Sequence, residues 1–208
     1  PLPRTDGVAK PTATPQQSLE RKVRRAAAAR GLNEAINWSF LPQKAADAFG
    51  GGTWSLANPI SEDMKVMRPS LLPGLLSAAQ RNMDRGASSV RLFEIGRRYF
   101  VGADGASDER ATAGIVLAGE HSARNWATGK AERFDAFDAK AEAIALLKAA
   151  GVATVTATLS GFDQSLIRAG ASSLSYVEIV SGLKAGDRIV VSGTDQFDNA
   201  ERVRISGN

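Results

Sequence analysis

Residues 54–76 read WSLANPISEDMKVMRPSLLPGLL, and the fold of the chain is read outward from them. Trp54 to Ala57 is expected as a short strand. Asn58-Pro59 stops it, because proline pushes the preceding residue away from helix and cannot donate to a ladder. Acidic Glu62 and Asp63 follow, and then Arg68-Pro69-Ser70 leads into a helix starting near Pro73, where a missing N–H is tolerated. Leu71, Leu72, Leu75, Leu76 and Ala79 fall at helical spacing and form one apolar face. Across residues 15–160 the alternation of a 3.6-residue period in helices with a period of two in strands predicts an α+β fold, an antiparallel sheet with helices against it.

Upstream, Thr14-Pro15-Gln16-Gln17 carries a helix start, with Thr14 as N-cap and Gln17 completing a capping box. The helix is expected over 15–30, closed by Gly31. Leu19, Val23, Ala26 and Ala27 share one face, and Arg21, Arg24 and Arg25 share the other, with Lys22 at its edge. That basic stripe reads either as a phosphate-facing surface or as the solvated side of an amphipathic helix. Residues 1–14 hold three of the eight prolines and read as an extended linker. A strand is expected over Ala35–Phe40 and a short helix over Pro42–Phe49. Gly50-Gly51-Gly52 is read as a hairpin-like turn, because it lacks the Lys-Ser/Thr of a phosphate loop.

Downstream, 84–89 is a polar turn and Val90–Val101 a strand. On strand alternation Glu94 points to the side of Leu92 and Gly96, which suits a paired structural carboxylate. Asp104–Arg110 is expected as a hairpin loop and Ala111–Gly119 as a buried strand. His121, the sole histidine, is placed in a loop; with no second His or any Cys it makes no conventional zinc site. Asp138 is read as the N-cap or a first-turn anion of a helix over 138–150 with Ala141, Ile144 and Ala145 on its apolar face and Leu147 beside it. Lys148 takes the next position on that face. Gly151 closes the helix, and Val152–Leu159 alternates as a strand.

The run NPIS, an acidic residue, RPSLLPGLL and then Asn82 resembles the bacterial phenylalanine–tRNA ligase beta subunit. Gly31-Leu32 with Glu34, Leu92-Phe93-Glu94-Ile95-Gly96, Trp126 and the aromatic-Asp-Lys segment Phe134–Lys140 stand in that family's order. The resemblance covers residues 15–159. It implies an α+β fold, an antiparallel sheet flanked by helices, like part of a class II aminoacyl-tRNA synthetase core. It also implies a cytoplasmic location, an alpha subunit as partner, and tRNA as a further contact. In that family the segment opened above is an intersubunit element, so Arg68, Leu71, Leu72, Pro73, Leu75 and Leu76 are implied interface residues. The leucine face is then expected to be partly exposed in the isolated chain, favouring self-association into a homo-oligomer. Arg21, Arg24 and Arg25 are the candidate nucleic-acid residues. ATP and Mg2+ are implied for the whole enzyme and held by the alpha subunit. No catalytic, cofactor-binding or metal-binding residue is expected in this chain, and no complete catalytic site.

Residues 167–206 resemble a different family, the C-terminal segment of periplasmic adaptor proteins of efflux pumps. The carrying residues are Val177–Leu183, Gly186–Val191, Ala200 and Val203. Three short β runs are expected there, Ser175–Val180, Arg188–Ser192 and Val203–Ile205, as a small all-β segment over 161–208. The two resemblances leave an alternative function open: a chimeric or adaptor-type protein–protein interaction module of an efflux system.

Composition bounds these readings. The 208 residues are 43% hydrophobic and 23% charged, as in globular proteins. There is no cysteine, which excludes disulfides and thiolate metal sites. No apolar run of about 18 residues is present, so no membrane insertion is expected. The net charge of +4 comes from the first 160 residues, where 21 basic side chains face 16 acidic ones. That asymmetry weakly favours a polyanionic partner there.

Overall fold

The computed structural model describes residues 12–127 and 129–152, together with the backbone of four strands at 156–159, 174–180, 188–192 and 204–205. Most of the expected linker, residues 1–11, lies outside the described residues. Helix α1 (Pro15–Ala29) starts at the Thr14 capping box, with the hydroxyl accepting from the Gln17 N–H and the Gln17 side chain reaching back to the Thr14 N–H. Strand β1 (Asn33–Glu34) and strand β2 (Phe40–Leu41) replace the single strand expected over 35–40. Helix α2 is Gln43–Asp47. The triple glycine closes this helix rather than turning a hairpin: Gly50 and Gly51 have φ of +98° and +73°, and the Gly51 N–H donates to the Ala46 carbonyl.

The stretch 54–76 is less regular than expected. Ser55 makes only an isolated bridge to Val66, and strand β3 is Val66–Met67, pairing antiparallel with β2. A 3-10 turn spans Glu62–Met64. Helix α3 (Leu72–Asp84) then begins as proposed, with Pro73 in its first turn. Strands β4 (Ser89–Val101) and β5 (Ser107–Ser122) form a long antiparallel hairpin that runs in register from Ser89↔Gly119 to Val101↔Ser107. The polar residues expected as loop, 107–110, are therefore strand. So is His121, whose ring packs edge-on against Phe134 at 5.4 Å.

Strand β6 (Glu132–Arg133) pairs with the end of β5, and helix α4 (Ala136–Ala150) follows. Its N-cap is Asp135, accepting from the N–H groups of Phe137 and Asp138; Asp138 returns a bond as the third helical residue. Gly151, at φ +98°, is the left-handed C-cap. The expected inner face is rotated: Ala139, Ala143, Leu146 and Leu147 are buried, whereas Ala141 and Lys148 are exposed.

Strands β7 (Thr156–Leu159), β8 (Leu174–Val180), β9 (Arg188–Ser192) and β10 (Arg204–Ile205) extend the same sheet, ordered β1-β4-β5-β8-β9-β7-β10. The sheet is mixed, not purely antiparallel, because β1 runs parallel to β4 and β7 parallel to β9. The tail strands fall close to where they were expected. They are not apart from the core: β8 pairs with β5 over seven residues, from Thr112↔Val180 to Ala118↔Leu174.

Alternation along the central hairpin sorts two cores. Phe93, Ile115 and Leu117 face α1 and α4, with Val23, Ala27, Leu32, Phe134 and Leu146. Leu92, Val116 and Ala118 face α3, with Leu71, Leu72, Leu75 and Ala79. A Cβ at Gly114 would lie 2.8 Å from Leu75 Cδ1 and 3.2 Å from Leu71 Cβ, so this glycine lets α3 sit down on β5.

Candidate functional site

The leucine face of α3 is core, not surface. Leu71, Leu72 and Leu75 are completely buried, and Leu76 is half-buried. This overturns the expected exposure of that face, which was the ground for expecting self-association. The helical spacing identified an apolar face correctly; it did not say whether a sheet or a subunit covers it, and the α3 face of β4–β5 does.

Arg68 is likewise internal, at 5% exposure. Its guanidinium lies 2.6 Å from Glu94 Oε1 and donates through Nε to the Arg97 carbonyl at 2.9 Å and through Nη1 to the Asn37 carbonyl at 3.4 Å. Its backbone N–H donates to Ser39 O and its carbonyl accepts from the Tyr99 N–H. Glu94, 3% exposed, is the paired structural carboxylate that strand alternation indicated, and its second oxygen accepts from Asn37 Nδ2 at 2.7 Å. A Cβ at Gly96 would collide with the same guanidinium, so the glycine leaves room for the pair. A buried ion pair is tolerable only with its remaining polar atoms satisfied, and every buried side-chain polar atom among the described residues has a partner.

Three large apolar side chains on segments next to the cluster residues or to β2 in sequence or contact are exposed. Ile36 is 89% exposed, Trp38 72% and Ile60 92%. Ile36 and Trp38 flank Asn37, which is partly buried with its amide on Glu94, while both neighbours are exposed. Ile60 stands just before the 3-10 turn that contacts β2. None of these three was singled out in the sequence. The signal available was a polar residue between two large apolar ones at period two, opposite to the usual inward apolar pattern. Trp126, 98% exposed, sits on a separate turn closed by an Asn125–Gly129 bridge.

The basic stripe on α1 is only partly available. Arg24 is paired with Glu34 at 2.7 Å, whereas Arg21 and Arg25 are exposed. Arg30 pairs with Glu142 and joins α1 to α4; that hydrogen bond outweighs burial and raises the arginine pKa. Glu20 lies 2.8 Å from Arg97 on β4. Burial acts to raise the Glu20 pKa, but hydrogen bonds from Gln16 and Arg97 and the Arg97 charge outweigh it and hold it below 4.5.

Several arginines among the described residues are engaged one by one by other side chains or carbonyls. Arg68 is held by Glu94, Arg97 by Glu20, and Arg110 by Asp108 at 2.6 Å. Arg98 donates to Thr112, and Arg91 donates to the His121 carbonyl while lying over the Phe134 ring. Among the described residues no group of three or more His, Asp or Glu side chains is gathered for a metal. No helix among the described residues is long and apolar enough to cross a membrane.

The family profile described as the phenylalanyl tRNA synthetase beta chain CLM domain matches residues 2–172. A second profile, the C-terminal permuted SH3 domain of RND MFPs, matches 162–196. The phenylalanine–tRNA ligase beta subunit of Novosphingobium aromaticivorans is 72% identical over 153 residues, covering 73% of this chain and 19% of that protein. The Mesorhizobium japonicum beta subunit is 48% identical over 215 residues, covering all of this chain and 25% of that protein. The second profile falls on the tail read as adaptor-like, and the Novosphingobium match covers only 73% of the chain, whereas the Mesorhizobium match spans all of it. The chain spans roughly a fifth to a quarter of the length of these relatives. Among solved structures, a pyrrolysyl tRNA synthetase from Desulfitobacterium hafniense superposes with TM-score 0.51 at 18% identity, over 78% of this chain and 52% of that one. An ATP phosphoribosyltransferase regulatory subunit/histidyl-tRNA synthetase from Bacillus halodurans gives 0.50 at 15%, over 76% and 41%. These likenesses show an α+β, class II synthetase-like fold, and together with the profile and the relatives they place the sequence: the chain belongs to the phenylalanyl-tRNA synthetase beta chain family.

Proposed function

We propose that this chain is a non-catalytic structural module of a phenylalanine–tRNA ligase beta subunit, supporting assembly with the alpha subunit. The alpha subunit is the partner, and it handles ATP, Mg2+ and phenylalanine. The observation that carries this reading is the pairing of a buried, fully satisfied polar cluster with exposed Ile36, Trp38 and Ile60. Large apolar side chains held outward are what a subunit interface needs, and tryptophan is enriched among residues that dominate binding. The implied interface moves accordingly, from the leucines of α3 to the segment that α3 and Arg68 support. The engaged arginines account for the non-catalytic part, since adenylate formation requires cations placed on the triphosphate.

The test is site-specific photocrosslinking from position 38 in the complete beta subunit, co-expressed with the alpha subunit. A crosslink to the alpha subunit is the expected result. A crosslink confined to other parts of the beta polypeptide would refute the interface reading.

A further inference from the structure

Asn37 is held on three sides. Its side-chain amide donates to Glu94 Oε2 at 2.7 Å, and its carbonyl accepts from Arg68 at 3.4 Å. On the third side is Gly74 of α3, where an added Cβ would lie 2.7 Å from Asn37 Cβ and 2.9 Å from its Cγ. That contact is with the root of the side chain, so no rotamer change relieves it; the segment itself would have to move. The neighbouring anchors are equally fixed: the Ala35 N–H donates to the Phe93 carbonyl, and the Arg68 N–H donates to the Ser39 carbonyl. The exposed Ile36 and Trp38 thus stand on a backbone pinned at 35, 37 and 39.

We propose that Asn37 is a positioning residue, locked by Glu94, Arg68 and the notch at Gly74, that presets Ile36 and Trp38 for the partner subunit. The proposal rests on the interface reading above and adds where its geometry comes from. A buried ion pair contributes little net stability compared with apolar packing, but it fixes one arrangement of the groups around it. Ordering a surface loop in advance removes that ordering from the cost of association. The cluster therefore acts on binding more than on folding.

Two substitutions reach Asn37 by different routes. Asn37→Ala removes the amide. Gly74→Ala leaves every hydrogen-bonding group in place and raises helix propensity, but drives its Cβ into Asn37. Both are made in the complete beta subunit and titrated with the alpha subunit. A background carrying Trp54→Phe and Trp126→Phe reports the anisotropy of Trp38 within this chain; tryptophans elsewhere in the complete subunit are replaced likewise. If the variants leave a tenth of molecules with the segment in place, association weakens about tenfold. Expected are that loss and a fall in Trp38 anisotropy in both variants. Leu146→Val, on the opposite core, controls for stability and should leave association unchanged. Association and anisotropy unchanged in both variants would overturn the proposal, as would a loss of association that Leu146→Val reproduces at equal loss of global stability. The parent reading fails separately: Ile36→Ala with Trp38→Ala leaving association unchanged would remove the interface itself.

Discussion

The seat of α3 on the sheet gives a double-mutant test. Leu75 is completely buried, and its Cδ1 occupies the notch over Gly114, where a Cβ would come within 2.8 Å. Leu75→Ala removes three carbons. At about 0.8 kcal/mol per buried methylene the transfer part is about 2.4 kcal/mol, and the residual cavity brings the total to about 3–4 kcal/mol. Gly114→Ala alone forces its methyl against Leu75 and Leu71, an overpacking worth about 1–3 kcal/mol. Combined, the new methyl enters the space that the leucine vacated. The double variant should then lose about 1–2 kcal/mol less than the two singles predict, because residues in contact do not add. Urea unfolding followed by circular dichroism, with the slope checked for constancy, measures all four corners of the cycle. Additivity within about 0.5 kcal/mol would refute the packing argument. So would a Leu75→Ala variant that loses under about 1 kcal/mol while changing oligomeric state, since that outcome would return the leucine face to the surface.

Arg68→Met should cost about 3–5 kcal/mol by stranding the Glu94 charge, and adding Glu94→Leu should recover most of it; a double variant no more stable than the single one would argue against the pair. The depressed Glu20 pKa implies stability that is present above the ordinary value of 4.5 and lost as pH falls through the lower folded value. The pair is partly exposed, so the effect is at most about 1 kcal/mol; Glu20→Gln should flatten the acid limb of a stability–pH profile, and an unchanged limb would remove the pair from it. For tRNA, Arg21→Ala with Arg25→Ala should lower the log–log salt slope of binding by close to two units, about 0.9 per phosphate contact, while Arg24→Ala, already paired with Glu34, should change it least. Equal effects from all three would show that Arg24 leaves Glu34 on binding.

Periodicity carried the fold well where local rules decide it. Thr14 and Gln17 announced the first helix, Pro73 the third, and alternation placed Glu94 opposite Phe93 and Ile95. It failed where tertiary contacts decide. The stretch 33–41 has no regular ladder along its length, because the chain leaves β4 after Ala35 to pair with β3. The helix 136–150 is so alanine-rich that several faces look alike, and packing against Phe134 and Ile115 chose Ala139, Ala143, Leu146 and Leu147. The candidate site was legible in part. Glu94 stood out by strand alternation and Arg68 through the family resemblance, but their pairing across 26 residues and the use of Asn37 needed the fold.

The order of strands in the sheet also differs from the order in which a ribosome delivers them. When the chain has been made as far as Leu159, β5 has β4 on one side and an open edge at Thr112–Ala118 on the other. Thr156–Leu159 cannot close that edge, because its neighbours are Arg188–Ser192 and Arg204–Ile205, both still to be made. Leu174–Val180 is the strand that covers it. A nascent chain therefore carries, for the time taken to add roughly twenty residues at about 5–20 residues per second, an unpaired apolar strand of the kind that templates aggregation. Cutting the chain near residue 160 would make that transient state permanent.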